Sequence, residues 1–308
     1  MSAEASAPRI SVCVSTYQRP VQLARLIDAL ARQEKPPDIL ELVVVDNDPS
    51  GSARAVVKAA GTWLHIRYDI QPQKNIALTR NLSVRLAIGD WVAFLDDDEL
   101  PGKDWLRRMF ETVIRSGADG VLGPVVSVLP ADAPDWIRAG DFFGRRRFAT
   151  GVIVPRTEYR IGNALLRAES LRQIAGPFDP EYGLSGGEDG RLLNLLANRG
   201  ARLVWCDEAA VTEPVEPSRL TRRWLLMRAY RGGQNITRHT RSGAYGPLRF
   251  YTLPLLALRA GAVAVSSSAL AILLWPLSEI WRFGWLRRAY SNAGKLTALA
   301  NSRYEEYR

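Results

Sequence analysis

The chain has 308 residues, 47% of them apolar, and a formal net charge of +9 at pH 7. That length suits one large domain with an appendage, or two domains, and the apolar fraction is enough for a sizeable core. Its two cysteines, Cys13 and Cys206, lie far apart in apolar strand-like runs and read as buried free thiols in a reducing compartment rather than a disulfide. Residues 1–8 are small and polar, without the apolar core of a signal peptide, so the chain is expected to start and stay on the cytoplasmic side.

In chain order, residues 9–14 form a short apolar strand that ends in Ser15-Thr16-Tyr17. Pro20 then opens a helix with Leu23, Leu26, Ile27 and Leu30 at helical spacing, and Pro36-Pro37 ends it. A second strand over 39–45 is nearly all apolar, as for a strand covered on both faces, and it runs into the turn-forming Asp46-Asn47-Asp48-Pro49-Ser50-Gly51. A third strand over 65–70, a helix over 76–88 and a fourth strand over 91–95 complete a β-α-β-α-β-α-β order. That order predicts a doubly wound, mostly parallel α/β half-domain. Beyond residue 120 the pattern loosens. Residues 121–128 and 161–166 read as strands, 134–147 as irregular, and 183–187 as a Gly/Ser loop before a helix carrying Leu192, Leu193, Leu195 and Leu196.

In such a sheet ligands gather at the carboxyl ends of the strands, and the polar clusters at 15–17, 46–48 and 96–99 all fall there. The last is the run Asp96-Asp97-Asp98-Glu99. Four adjacent carboxylates repel unless water or a cation offsets them, and their oxygens suit a hard divalent ion shared with substrate phosphates. A solvated acidic turn is the plain alternative. Strand one is not followed by Gly-x-Gly-x-x-Gly, and no Walker A loop occurs, which argues against an NAD enzyme or a P-loop ATPase. Glu188-Asp189 open a helix, where the helix dipole alone favours acids.

Taken in order, residues 11–17, Val43-Val44-Val45-Asp46-Asn47, Arg80-Asn81, Phe94-Leu95-Asp96-Asp97-Asp98, Gly162-Asn163 and Gly186-Gly187-Glu188-Asp189 resemble the family 2 glycosyltransferases of the GT-A fold. The likeness covers roughly residues 9–240. The basic, Trp-containing segment 222–232 is similar to that of bacterial exopolysaccharide (succinoglycan-type) members. The resemblance implies an inverting transfer from a nucleotide-diphosphate sugar, most simply a UDP-sugar, with Mg²⁺ or Mn²⁺ as cofactor. It implies Asp98 as metal ligand, Asp189 as catalytic base, and donor contacts from Thr16, Asp46, Asn47, Lys74, Arg80, Asp96 and Asp97. Acceptor contacts are implied at Glu188, Trp136 and Asn163, and Glu99 is expected to do least. Lys74 and Arg80 would meet the phosphates, an ordinary surface-helix role being the alternative. Glu213 stands near where many relatives carry a metal-binding His; it is either a further ligand or an exposed turn residue. Trp136, with Phe142 and Phe143, either stacks on sugar or lipid or packs in a core. Leu220 replaces the Gln of the processive Gln-x-x-Arg-Trp signature, which favours one sugar per visit.

Residues 1–214 carry 26 Lys and Arg against 28 Asp and Glu, whereas residues 215–308 carry 15 against 4, so the whole positive excess sits in the last third. That division suggests a short tail (1–8), a catalytic domain (9–214) and a basic helical region (215–308). Within the last, an apolar membrane-associating segment is expected over about 250–290; its uncharged run 260–278 is flanked by Arg249 and Arg259 and by Trp281-Arg282-Phe283-Gly284-Trp285-Leu286-Arg287-Arg288. It reads as an in-plane or re-entrant membrane helix, a span, or a packed or homodimer-forming helix. No base-reading module is visible, so a membrane surface and a lipid-linked saccharide or polysaccharide acceptor in cell-surface polysaccharide synthesis are expected rather than nucleic acid. The expected place is the cytoplasmic face of a bacterial inner membrane. The competing functional readings are a catalytically silent sugar-nucleotide-binding scaffold and a nucleotidyltransferase. The latter is disfavoured by the missing Gly-rich phosphate loop.

Overall fold

The computed structural model describes residues 9–34, 39–61 and 65–305; the expected N-terminal tail and the Pro36-Pro37 break lie outside the described residues. In chain order the elements are β1 (Ile10–Thr16), α1 (Pro20–Ala31), β2 (Ile39–Asp46), α2 (Arg54–Ala59), β3 (Ile66–Ile70), α3 (Ile76–Leu86) and β4 (Trp91–Asp96). There follow β5 (Leu100–Pro101), α4 (Trp105–Ser116), β6 (Gly120–Leu122), β7 (Val125–Val128), α5 (Asp135–Gly140), β8 (Asn163–Arg167), α6 (Ala168–Arg172) and α7 (Glu188–Asn198). The chain ends with β9 (Leu203–Trp205), β10 (Val211–Pro214), α8 (Arg222–Arg241), α9 (Thr252–Leu273) and α10 (Glu279–Leu299). Two compact units result. One comprises Met1–Val126, Arg145–Leu184 and Glu188–Glu213; the other comprises Ser127–Gly144, Ser185–Gly187 and Pro214–Arg308.

The first unit is built on a seven-stranded sheet in the order β3-β2-β1-β4-β8-β6-β9. β8 alone runs antiparallel to its neighbours β4 and β6. Alternate residues of β1, β2 and β4 serve two cores, because successive strand side chains point to opposite faces. Val12, Val14, Leu42, Val44, Ala93 and Leu95 pack with α1 and α4. Cys13, Val43, Val45, Val92 and Phe94 pack with α3 and α7. Both faces are covered, which is why these strands read as continuous apolar runs. Register then sets the polar ends in one row: Thr16 pairs with Asp46, Ser15 with Asp96, and Leu95 with Asn163.

The strand expected over 121–128 is broken at Gly123-Pro124 into β6 and β7. Pro124 has no N–H for a ladder, and a Cβ on Gly123 would meet Asn163 Nδ2 at 2.6 Å. Both thiols are buried and free, and burial pushes Cys13 up to about 12.

In the second unit α10 packs along both α8 and α9. Glycines bring α10 close to α8: a Cβ on Gly233 would lie 1.8 Å from the Ser291 carbonyl, and one on Gly294 2.0 Å from that of Tyr230. Ile137, Phe142, Phe143, Val215, Leu225 and Phe283 form its core. The apolar run expected over 260–278 is in fact a helix from Thr252 to Leu273, with Pro276 beyond its end.

Candidate active site

The candidate site lies in the first unit, at the row of strand ends. β4 delivers Asp96 at its last position, and the turn after it delivers Asp97, Asp98 and Glu99. Thr16, ending β1, donates its hydroxyl to Asp97 Oδ2 at 2.7 Å. Gln18 takes φ +53°, in the left-handed region. Arg19 next to it turns back over the acids, its Nη1 lying 3.1 Å from Asp97 Oδ1 and 2.9 Å from Asp98 Oδ2. Burial, reinforced by Asp96 and Asp97 and further by Glu213, pushes the Asp98 carboxyl up to about 7 despite Arg19. Burial also raises Asp97.

A second cluster is centred on Arg80, which α3 presents. Its Nη2 lies 2.8 Å from Asp96 Oδ1, and its Nη1 is bonded to Glu188 Oε1. The Arg80 side chain is only 10% exposed. Burial works against its charge, but Asp96, Glu188 and Asp189 outweigh that and keep it protonated. One guanidinium therefore ties the end of β4 to the first turn of α7, where Asp189 follows Glu188. Burial, with Asp189 adjoining, pushes Glu188 up to about 7 against the pull of Arg80. Its Oε2 is buried and has no hydrogen-bond partner among the described residues. Asp189 is half-buried, with Oδ1 accepting from the Gly190 N–H at 2.7 Å.

Several expected contacts are engaged otherwise. Asp46 is fully buried, and its Oδ2 accepts from the Ala53 N–H (2.8 Å) and the Tyr68 hydroxyl (3.0 Å), while Oδ1 accepts from the Asp48 N–H (3.0 Å). Asn47 donates to the carbonyls of Gln71 and Gln73, each at 2.7 Å, and accepts from the Asn75 N–H at 2.8 Å. These bonds shape the loops beside the site. Asn163 accepts from Trp105 Nε1 (2.8 Å) and donates to the carbonyls of Pro124 (3.0 Å) and Ala209 (2.8 Å), bonds that tie β8 to α4 and to the loops beside it. Arg80 holds carboxylates rather than offering an unpaired charge to phosphates. Lys74 is exposed, its ammonium 5.0 Å from the centre of the Tyr17 ring. Trp136 belongs to the second unit, where it packs on Phe142 (5.5 Å) and Phe283 (5.1 Å) under Arg222 (5.1 Å).

Glu99 does more than the sequence suggested. Its side chain is buried and Oε2 accepts from the Asp96 N–H at 2.9 Å, fixing the turn that aims the acids. Gly162 makes room for it, since a Cβ there would lie 2.4 Å from Glu99 Oε1. Burial and Asp96 push its carboxyl well up. The structure also adds Arg19 and Arg145, whose Nη2 lies 3.0 Å from Glu213 Oε2. The available signals were an Arg between a strand end and a helix-opening proline, and the Arg145-Arg146-Arg147 run.

Among the described residues no group of three or more His, Cys, Asp or Glu is arranged to hold a metal. The donor chemistry nevertheless fits a hard divalent cation. All the donors are carboxylate oxygens, and Asp98 is buried against the charges of Asp96, Asp97 and Glu213. Few protein ligands suffice for an ion that completes its sphere from water and phosphate oxygens.

Residues 11–174 match the model of Glycosyl transferase family 2. The chain is 36% identical over 296 residues, 94% of its length and 92% of the other, to the Succinoglycan biosynthesis protein ExoM of Rhizobium meliloti (strain 1021). It is 25% identical over 213 residues, 68% of each, to Glycosyltransferase AglE of Haloferax volcanii. Among solved structures it is similar to mannosyltransferase PcManGT of Pyrobaculum calidifontis, determined with GDP-Man and Mn²⁺. That match has a TM-score of 0.66 and 19% identity, over 97% of this chain and 89% of the other. It is also similar to TarS 1–349 of S. aureus with UDP, with a TM-score of 0.54 and 18% identity, over 96% and 93%. These two likenesses concern the fold, which is that of GT-A glycosyltransferases. On the family model and the long match to ExoM, the chain belongs to glycosyltransferase family 2 and is a glycosyltransferase.

Proposed function

We propose that the protein moves one sugar per visit from a nucleotide-diphosphate sugar, of the UDP type, to a lipid-linked saccharide in cell-surface polysaccharide synthesis. The transfer inverts the anomeric centre and requires Mg²⁺ or Mn²⁺. The observation that carries this reading is Arg80, whose one guanidinium joins Asp96 of the strand-end acids to Glu188 beside Asp189. That arrangement suits a reaction in which a donor at the strand ends must be aligned with an acceptor at the start of α7. Support also comes from ExoM, whose name places it in succinoglycan biosynthesis, and from relatives of the same fold bound to GDP-Man with Mn²⁺ and to UDP.

In the proposed reaction Asp189 takes the proton of the acceptor hydroxyl as that oxygen bonds to the anomeric carbon. The bond from that carbon to the diphosphate oxygen breaks with its electron pair leaving on the nucleoside diphosphate. A single displacement inverts the centre. Asp98, with Glu213 beside it, would hold the divalent ion, which when bound offsets charge on the leaving diphosphate. Arg19 lies on Asp97 and Asp98 and supplies a positive charge there. The unpartnered Glu188 oxygen can accept from an acceptor hydroxyl. In this reading residues 9–214 are catalytic, 215–308 associate with the membrane, and the site works at the cytoplasmic face of the inner membrane. Retention of Asp98 and Asp189 argues against a silent scaffold.

The reading is tested by thermal shift with UDP-, GDP- and dTDP-sugars, with and without Mn²⁺. Stabilisation by several degrees that needs both sugar nucleotide and metal is expected, and Asp98→Asn should abolish it. Absence of metal-dependent stabilisation by every sugar nucleotide would contradict the proposal. The anomeric coupling of the product by NMR reads the inversion.

A further inference from the structure

α9 is 22 residues long, about 33 Å at the helical rise, and is the one described helix apolar and long enough to cross a bilayer. Its exposed face is ordered. Leu255, Leu258, Ala262, Val265, Ala269 and Ile272 follow one another at alternating spacings of three and four, and all are exposed. Leu258 is 73% exposed, Val265 72% and Ile272 73%. Ala260, Ser267 and Ala271, at spacings of seven and four, lie on the opposite side and are buried. Beyond the two ends of the stripe stand exposed aromatics, Phe250 and Tyr251 on one side, Trp275 and Trp281 on the other. Cations accompany them: Arg282 lies 4.1 Å over the Trp275 ring and Arg288 5.3 Å over the Trp285 ring.

Resting on the transferase reading only for the usefulness of a bilayer, we infer that α9 lies flat in the surface of an anionic membrane. Its Leu258–Val265–Ile272 stripe is sunk into the acyl layer, and Arg249, Arg259, Arg282 and Arg288 sit at the headgroups. The covered side of α9 decides between lying flat and spanning. α10 packs there and carries Arg282, Arg287, Arg288 and Lys295. Carrying α9 across would draw Arg287 and Arg288, midway along the partner helix, into the acyl layer, where a charged side chain is strongly disfavoured. Lying flat buries only the stripe and leaves the cations at phosphate depth. Burial lowers the Lys295 ammonium, and Arg259 and Arg288 lower it further, so like charges crowd at this rim and lipid phosphates would relieve them. A second copy would instead bring the same positive rim against itself.

The test is flotation of the full chain with vesicles of phosphatidylcholine alone and with about one-third phosphatidylglycerol. Binding at least about tenfold tighter to the anionic vesicles is expected. Val265→Asp with Ile272→Asp should lower it at least about tenfold while the melting temperature holds. Equal binding to both vesicles, or undiminished binding by the double variant, overturns the inference. Orientation is read on cell membranes by a membrane-impermeant maleimide, with Arg249→Cys and Gly284→Cys placed beyond the two ends of α9. Labelling of both from one side is expected; protection of one from that side means a span and overturns the inference. So does the absence of vesicle binding in a chain that is dimeric by light scattering. Donor-dependent thermal stabilisation, measured on the same sample, reads the transferase proposal separately. Its loss with vesicle binding intact would sink that proposal and not this one.

Discussion

Arg80 is buried between two carboxylates, a half-exposed Asp96 and a Glu188 that is 3% exposed, so its removal strands Glu188 beside Asp189. Breaking a buried ion pair from one side costs about 3–5 kcal/mol. Arg80→Gln is expected to lower the urea-unfolding free energy by about that much and to abolish transfer. Arg80→Lys should not restore activity, because a single ammonium cannot reproduce the planar fork that reaches Asp96 and Glu188 together. Glu188 itself gives a pH signature. Its folded pKa, about 7, stands above its ordinary value of 4.5. The stability it contributes is therefore fully present below about pH 4.5 and lost as pH rises through 7. Glu188→Gln should flatten that part of the stability–pH curve, and an unchanged curve would show that another group titrates there. The run of acids at a strand end and the acid behind paired glycines are visible locally, but it is the family resemblance that singles out Asp98 and Asp189 among them. Sequence alone could not show that Asp46 accepts from two backbone N–H groups and the Tyr68 hydroxyl, or that Asn47 and Asn163 donate to carbonyls of distant loops. Nor could it show that Glu99 is buried as the brace of the turn, since those facts depend on segments far away in the chain.

The loop before α3 is held from two sides by one residue. Asn75 caps α3 by accepting from the Leu78 N–H at 3.1 Å, and its amide donates to the Pro180 carbonyl at 3.0 Å. Gly183 lies against it, with a Cβ there falling 1.8 Å from Asn75 Oδ1. Asn75→Ala should cost about 1–2 kcal/mol, as lost caps do, and Gly183→Ala about 1–3 kcal/mol through overpacking. Since both act on the segment that carries Lys74 and leads into Arg80, each should also weaken donor-dependent stabilisation, measurable by the same melting experiment. Additive effects in the double variant would show that the two residues do not act through one contact. At this scale the strands β1 to β4 and helices α1 and α3 were legible because apolar period and Pro, Gly and Asn punctuation agree. The break at Gly123-Pro124 was not, because a proline inside an apolar run marks an interruption without showing which partner strand each half takes. The extent of α9 is not legible in the same way, because Arg259 bounds the uncharged run while the helix carries this single cation without ending.

Across the molecule, chemistry-bearing acids concentrate in the first unit and basic charge in the C-terminal region, and the proposed division of labour, catalysis in the first and membrane association in the second, rests on that asymmetry. The proposed mechanism separates two tasks within the sheet domain: the strand-end acids hold the donor, and Asp189 activates the acceptor. Asp189→Asn keeps the shape of the side chain and removes its basicity. It should leave metal- and sugar-nucleotide-dependent stabilisation within about a degree of the original while transfer falls by about 10²- to 10⁴-fold, the usual worth of a general base. Transfer measured on that variant, with donor binding verified in the same sample, is the most direct test. A loss of transfer with donor binding intact is predicted; transfer at the original rate would place the base elsewhere and contradict the account.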